Sequence, residues 1–453
     1  MNNNIFFITI DGLRADKFSG YTKTSKTPFL DNLKKQGTYF NEAISCADGT
    51  TLSLNSIFTG LYPFRTGTRA KEVYMNEFNF LHSLKKSGYH IYGIIPNFTS
   101  LSRLKFYFEN SKKTFDCQQP STGHLHQGVG NDMTDLLSSQ KMKEPWFCYF
   151  HPFDLHDPLV VNEKFQDNEF GLSKYEKVLS SIDYWIKEFF EYIDLTKTIS
   201  IITADHGSII PEGDIGYSDF EPQLKFMTNT GKKIIPNFSK KIASKGLISF
   251  KEKIRNYNLK KANKGLTPYQ IRSRLPYFRL TLHEEAIRVP LLFVGKNIPK
   301  NLEFGNLVSS VDIFPTLLDI VKISDLKKRD GRSLTPLFNG NTIDEKPVYL
   351  HTMPYEEISI HDKVGLRTKN FKYFRNSTVP HLNVHLYDIL SDPFENNNLA
   401  SNKSEIIKNM EKILYDITQN KSIDSLEPIE DERLKKIQDE LRTLGYKKSW
   451  KEK

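Results

Sequence analysis

The chain has 453 residues, 38% of them apolar and 12% aromatic, which is enough for one large or two to three ordinary domains and excludes an intrinsically disordered chain. The net charge is +9, but residues 221–282 hold 11 Lys and 4 Arg against Glu221 and Glu252, so this segment carries +13 and the remainder −4. No apolar run approaches the roughly 18 residues that a membrane helix needs, so none is expected.

In chain order, short apolar runs alternate with helical patterns. Ile5 to Ile10 is the first predicted strand, followed by a helix over Thr27 to Gly37, which opens on Thr-Pro and stops at Gly. Asp48-Gly49-Thr50-Thr51 reads as a turn into a helix over Leu52 to Phe58. Strands follow at His90 to Ile95 and Trp146 to Phe150. A helix spans Tyr175 to Tyr192, with Val178, Ile182, Trp185, Ile186 and Phe189 at helical spacing. Further strands are predicted at Ile199 to Thr203 and Pro290 to Val294. The near-continuous apolar character of these strands predicts a sheet buried on both faces. The alternation predicts an α/β architecture, a central mostly parallel sheet flanked by helices. After about Tyr349, short strands, a turn at Ser391-Asp392-Pro393 and a helix from Ser404 predict a smaller α+β subdomain. The expected organisation is therefore 1–350, interrupted by a basic insertion at 221–282, then 351–453.

The insertion interleaves Ile242, Ile248, Phe250 and Ile254 with lysines. It reads either as a solvated, partly helical excursion or as a basic lid for peripheral contact with an anionic surface. No helix-turn-helix, RNP-type or zinc-finger spacing is present, so no specific nucleic acid is expected. Cys46, Cys117 and Cys148 are too few and scattered for a disulfide framework and are expected to be reduced core residues. The start lacks a basic leader region and a small-residue cleavage site, which predicts a cytoplasmic protein. Oligomeric state is not readable.

In such a sheet, ligands bind beyond the carboxyl ends of the strands. Asp11 directly follows the first strand, and Asp205-His206 directly follow the strand at 199–203. Two carboxylates and an imidazole from separate strand ends can converge on one divalent cation, whereas a lone Asp-Gly after a strand is ordinarily a turn.

These residues bring in a family. The sequence resembles the sulfatases of the alkaline phosphatase superfamily through an ordered series: Asp11; Thr27-Pro28-Phe29-Leu30-Asp31 with Gly37; Thr59-Gly60-Leu61-Tyr62-Pro63; Asp205-His206-Gly207; Glu284 to Leu291; Val311-Asp312-Ile313-Phe314-Pro315-Thr316; Asp330-Gly331-Arg332; and Leu386-Tyr387-Asp388 with Asp392-Pro393. Only the basic insertion stands outside it. The resemblance implies metal ligation by Asp11, Thr50, Asp205 and His206, with Thr50 at the nucleophile position, nine residues before Thr59. The family's Cys/Ser-x-Pro-x-Arg motif is replaced by Thr50-Thr51-Leu52-Ser53-Leu54, and Cys46 lies four residues too early. A threonine cannot become formylglycine; it resembles the phosphodiesterases and phosphotransferases of the same superfamily. Its hydroxyl would be activated by the cation, while helix N–H groups receive the anionic ester. Without the family register, Thr50 or Thr51 reads as no more than a helix cap.

His156 matches the histidine that contacts the ester or leaving group, and His283 falls near a substrate-facing Lys or His. His151 and Asp154 stand as outer groups or as ligands of a second cation, and Arg14 as a site residue or the ion-pair partner of Asp16. Gly12 replaces the family's second aspartate. The remaining donors favour Mn²⁺ or Zn²⁺, with Mg²⁺ and Ca²⁺ also compatible. The expected enzyme is a metal-dependent hydrolase or phosphotransferase acting on phosphate, foremost phosphodiester, or sulfate esters, with a small anionic ester or a glycan- or lipid-linked substrate. The alternatives are a sulfuric ester hydrolase working without formylglycine and an inactive member that binds anionic glycans.

Overall fold

A computed structural model describes residues 3–67, 72–73, 79–110, 114–117, 122–210, 257, 260–274, 281–325, 327–353, 361–419 and 431–443. The chain forms two compact units: Met1–Ser208 with Leu280–Lys453, and Ile209–Arg279. The second unit takes up most of the basic insertion, and the apolar positions 242–254 lie outside the described residues. Its described part includes a helix at Pro268–Ser273, where Thr267 and Gln270 cap each other reciprocally.

The first unit is built on a sheet of nine strands among the described residues: β1 (Asn4–Ile10), β2 (Gly37–Ile44), β3 (His90–Pro96), β4 (Thr114–Phe115), β5 (Trp146–Phe150), β6 (Thr198–Ala204), β7 (Arg288–Gly295), β8 (Leu302–Phe304) and β9 (Val308–Ser309). The order is β4-β3-β5-β1-β6-β7-β2-β8, with β9 also on β2. Every residue of β1, β5 and β6 is buried, as expected for strands covered on both faces. The pairings β3–β5, β5–β1 and β1–β6 are parallel. β7, foreseen only as a strand, runs antiparallel to both β6 and β2. β2 was not foreseen, because GTYFNEAI mixes polar and apolar residues without a clean period.

Five helices matter below: α1 (Pro28–Lys35), α2 (Thr50–Thr59), α3 (Lys174–Phe190), α4 (Ser404–Thr418) and α5 (Asp431–Thr443). The Thr-Pro start of α1 is as expected, but Thr27 does not cap with its side chain. Asp183 of α3 instead accepts from Phe29 N (3.2 Å) and Leu30 N (2.7 Å), satisfying first-turn donors from a neighbouring helix.

A second sheet, β10 (Val348–His351), β11 (Lys363–Arg367), β12 (Phe371–Asn376) and β13 (His385–Asp388), is antiparallel in that order. One apolar cluster joins it to α4 and the large sheet, including Ile44, Leu282, Leu350, Phe374, Leu386 and Leu414. Beside this core, Lys372 is fully buried between Glu284 (3.0 Å) and Glu395 (2.6 Å). Arg367 bridges Glu284 (3.1 Å) and Glu42 of β2 (2.8 Å).

Candidate active site

Three adjacent strands end at one place. The register pairs Ile8 with Phe150 and Ile10 with Ala204, so the residues that follow, His151, Asp11 and Asp205, emerge side by side at the carboxyl ends of β5, β1 and β6. One ligand atom from each lies within 4.8 Å of the other two. All three side chains are fully buried.

Two glycines shape the same corner. Gly12 has φ +66°, its N–H donates to Asp205 Oδ1 (3.1 Å), and a Cβ there would stand 2.6 Å from Ser208 Oγ. An aspartate at this position would therefore have to adopt a left-handed backbone and displace the Ser208 hydroxyl. Gly207 N donates to Ala286 O (2.8 Å), and a Cβ on Gly207 would lie 2.2 Å from Glu285 O, so only glycine lets the chain after His206 press against that backbone.

α2 begins one residue later than its N-cap Gly49, whose backbone is extended. Thr50 is therefore the first helical residue, and its Oγ1 lies 3.2 Å from Asp11 Oδ1 and 3.3 Å from His206 Nε2. His206 Nδ1 is 2.7 Å from Gly207 O. A carbonyl only accepts, so Nδ1 carries a proton, and Nε2 is the nitrogen that faces Thr50. His206 Nε2 is also 3.5 Å from Asp205 Oδ2 and 4.0 Å from Asp11 Oδ1.

The charges of this cluster are strongly interdependent. Burial, then the neighbouring Asp205 charge, raises the Asp11 carboxyl well above its ordinary value. Burial also works on Asp205, but His206 and His151 outweigh it and hold it low. His206 is lifted against its burial by Asp205 and Asp11. Burial drives His151 down to about 4, so it is neutral near pH 7, with Nδ1 2.9 Å from Tyr149 OH. Asp11 Oδ2, Asp205 Oδ2 and His151 Nε2 are buried with no hydrogen-bond partner among the described residues. Orphaned buried carboxylate oxygens beside a neutral imidazole nitrogen are costly by themselves and match the needs of a divalent cation. The mixed nitrogen and oxygen donors fit the group that the family implies.

Of the other predicted residues, His156 is buried, stacks on Phe153 at 4.3 Å, and has Nδ1 2.8 Å from Asp157 O; burial lowers it to about 4. His283 precedes the short helix Glu284–Ile287, with Nδ1 2.5 Å from Thr281 Oγ1 and its ring against Phe374, His385 and Tyr387. It is linked to the Thr50 turn through Thr281 N, which donates to Asp48 Oδ2 (2.7 Å). Asp48 Oδ1 accepts from Met353 N (2.7 Å), and burial raises this carboxyl to about 6. Arg14 makes a two-pronged pair with Asp16, 2.8 Å on each arm. Asp154, raised by burial to about 6, accepts from Leu125 N (3.0 Å). Cys46 is buried with Sγ 3.2 Å from Ser309 Oγ and its thiol is pushed up by burial to about 11.

His151 is the residue whose membership the sequence did not assign to the first cluster. Its signal was the same as that of Asp11: a polar residue directly after a fully buried strand.

Comparison with known proteins agrees with this construction. Residues 3–323 match the family model described as Sulfatase, and residues 277–420 match that of the C-terminal region of N-sulphoglucosamine sulphohydrolase. Among curated relatives, arylsulfatase K of Homo sapiens is 32% identical and that of Mus musculus 30% identical, each over 147 residues, 31% of this chain and 27% of the relative. The match thus spans about a quarter of those relatives' length. Among solved structures, the phosphonate monoester hydrolase of Agrobacterium radiobacter superposes with a TM-score of 0.62 at 13% identity, covering 92% of this chain and 95% of that one. A protein solved with its substrate D-glucosamine-2-N,6-O-disulfate gives 0.64 at 14% identity, covering 92% and 98%. With the family model spanning residues 3–323 and its strand-end aspartates and histidines gathered at one corner, the chain belongs to the sulfatase family of the alkaline phosphatase superfamily.

Proposed function

We propose that this chain is a metal-dependent ester hydrolase in which Thr50 is the nucleophile toward phosphate diesters or sulfate esters. The observation that carries the reading is the position of Thr50 Oγ1, at the first turn of α2 and within 3.3 Å of both Asp11 and His206. A divalent cation held by Asp11, His151 and Asp205, with Thr50 and His206 at its edge, would acidify the hydroxyl and screen charge on the ester oxygens.

The chain's own groups supply the rest. Backbone N–H groups of the first turn of α2, free of intrahelical partners, can receive the anionic oxygens. When His206 is neutral and its Nε2 is not bound to the cation, that nitrogen can take the Thr50 proton as the bond from Oγ1 to phosphorus or sulfur forms and the bond to the leaving oxygen breaks. An anion bound near His156 raises its proton affinity from about 4, so that it can return a proton to the leaving oxygen. Water then cleaves the Thr50 ester and regenerates the hydroxyl. A family member with the nucleophile converted to formylglycine needs a Cys or Ser there; Thr50 offers neither, and Cys46 is inert in the core.

The test is nitrophenol release from bis(4-nitrophenyl) phosphate, 4-nitrophenyl phosphate and 4-nitrophenyl sulfate with Mn²⁺, Zn²⁺, Mg²⁺ or Ca²⁺. Metal-dependent turnover of the diester or the sulfate, abolished in Thr50→Ala, is expected. Turnover that survives Thr50→Ala would overturn the reading.

A further inference from the structure

The cavity in front of Thr50 has two unlike sides. Thr50 and His151 face it from the acid and imidazole cluster, while Phe98, Phe153 and Met353 give it an apolar flank. It is completed by Ile437 and Glu440 of α5, a helix beyond residue 420, where the C-terminal family match ends. This wall therefore belongs to a stretch of chain that neither family model covers.

α5 is fastened at both ends of the contact. Glu440 accepts from Thr99 N (2.7 Å) and Thr99 Oγ1 (2.6 Å) at the start of the 3₁₀ helix Thr99–Tyr107. Arg433 donates to Glu72 Oε2 (2.7 Å) and Ser102 Oγ (2.8 Å). Ile437 between them is 2% exposed. The wall is thus held in place by three residues one helical turn apart, and it presents an aliphatic side chain and a carboxylate.

Such a lining selects. Apolar flanks desolvate an aryl or alkyl leaving group well and a hydroxyl-rich sugar poorly. A second anionic group on the substrate would meet the Glu440 charge, which Lys105 offsets only from outside the cavity lining. We infer that Ile437 and Glu440 of α5 set the substrate class: esters with a single negative charge and a compact apolar leaving group, with polysulfated glycans rejected. This inference rests on Thr50 being the reacting group.

The experiment uses the full-length chain and compares kcat/KM for singly charged 4-nitrophenyl sulfate with nitrocatechol bis-sulfate, and for 4-nitrophenyl with bulkier naphthyl esters. Wild type is expected to prefer the singly charged ester by about tenfold or more, and Glu440→Gln to narrow that preference by about tenfold. Ile437→Ala is expected to improve the naphthyl ester relative to the nitrophenyl ester by several-fold. Ile437→Trp should depress the nitrophenyl ester by about tenfold while inhibition by inorganic phosphate, which needs no leaving-group space, stays within about twofold. Thermal melts of each variant check folding. Thr50-dependent turnover with all these ratios unchanged would overturn the role of α5 and leave the nucleophile standing. Turnover independent of Thr50 would overturn both.

Discussion

The chemistry condenses onto a few side chains whose environments differ sharply over a few ångströms. Thr50→Ala should lower turnover by about a thousandfold or more with an unchanged melting temperature, whereas Thr50→Ser, which keeps the hydroxyl, should retain a measurable fraction. Steady-state rates and thermal melts check this, and an active Thr50→Ala variant would contradict it. The cluster also predicts its own pH dependence. Asp11 is held protonated to higher pH than an ordinary carboxyl by burial and by Asp205, so a cation entering the site must displace a proton. Metal affinity should therefore rise with pH, by about tenfold per unit while Asp11 remains protonated, and calorimetry in buffers of different ionisation enthalpy should register about one proton released. Affinity independent of pH, or undiminished in Asp205→Asn, would count against the assigned ligands.

At the scale of elements, two buried features hold the Thr50 turn and the second sheet to the first. Asp48 accepts backbone N–H groups from Thr281 and Met353 at once, tying three distant segments together. Asp48→Asn keeps one acceptor and faces the other N–H with a donor, so it should cost about 1–3 kcal/mol at pH 8. Because the folded-state value of Asp48 is raised to about 6, the folded protein binds the proton more tightly than the unfolded chain. Its contribution to stability is present at low pH and is lost as pH rises from about 4 to about 6. Urea unfolding across that window should show a shallower decline in the Asn variant; an unchanged slope would contradict the assignment. Lys372→Met leaves Glu284 and Glu395 buried without their shared cation and should destabilise by about 3–5 kcal/mol, read as a lower urea midpoint. A loss below about 1 kcal/mol would mean that Arg367 alone satisfies Glu284.

The elements that were legible in the sequence are those whose environment is uniform. β1, β5 and β6 are dominated by apolar residues because both faces are covered, and α3 shows its helical spacing because only one face is. Asp11, Asp205 and His206 were legible for the same reason: a polar residue directly after such a strand stands at the sheet's carboxyl edge. What was not legible depends on neighbours distant in sequence. β2 lacks a period, α1 is capped by Asp183 rather than by its own threonine, and His151 joins Asp11 only through the β1–β5 register. The contribution of α5 to the cavity leaves no trace in residues 431–443, whose sequence DERLKKIQDELRT is dominated by charged residues.

For the whole molecule, the sulfatase-family fold is joined to one proposal, that the covalent chemistry runs through Thr50. Strand order brings β5, β1 and β6 together, α2 delivers Thr50 to their shared edge, and Met353, just after β10 of the second sheet, steadies the turn through Asp48. Strong burial of Cys46, Cys117 and Cys148 leaves no thiol competing for that role among them. The most direct measurement is acid quenching of the enzyme during turnover of bis(4-nitrophenyl) phosphate with Mn²⁺ or Zn²⁺, followed by proteolysis and mass spectrometry. The account predicts an aryl phosphoryl adduct on the peptide containing Thr50, at that residue, and its absence from Thr50→Ala. Sustained turnover with the adduct on another residue, or unaltered by the loss of Thr50, would contradict it.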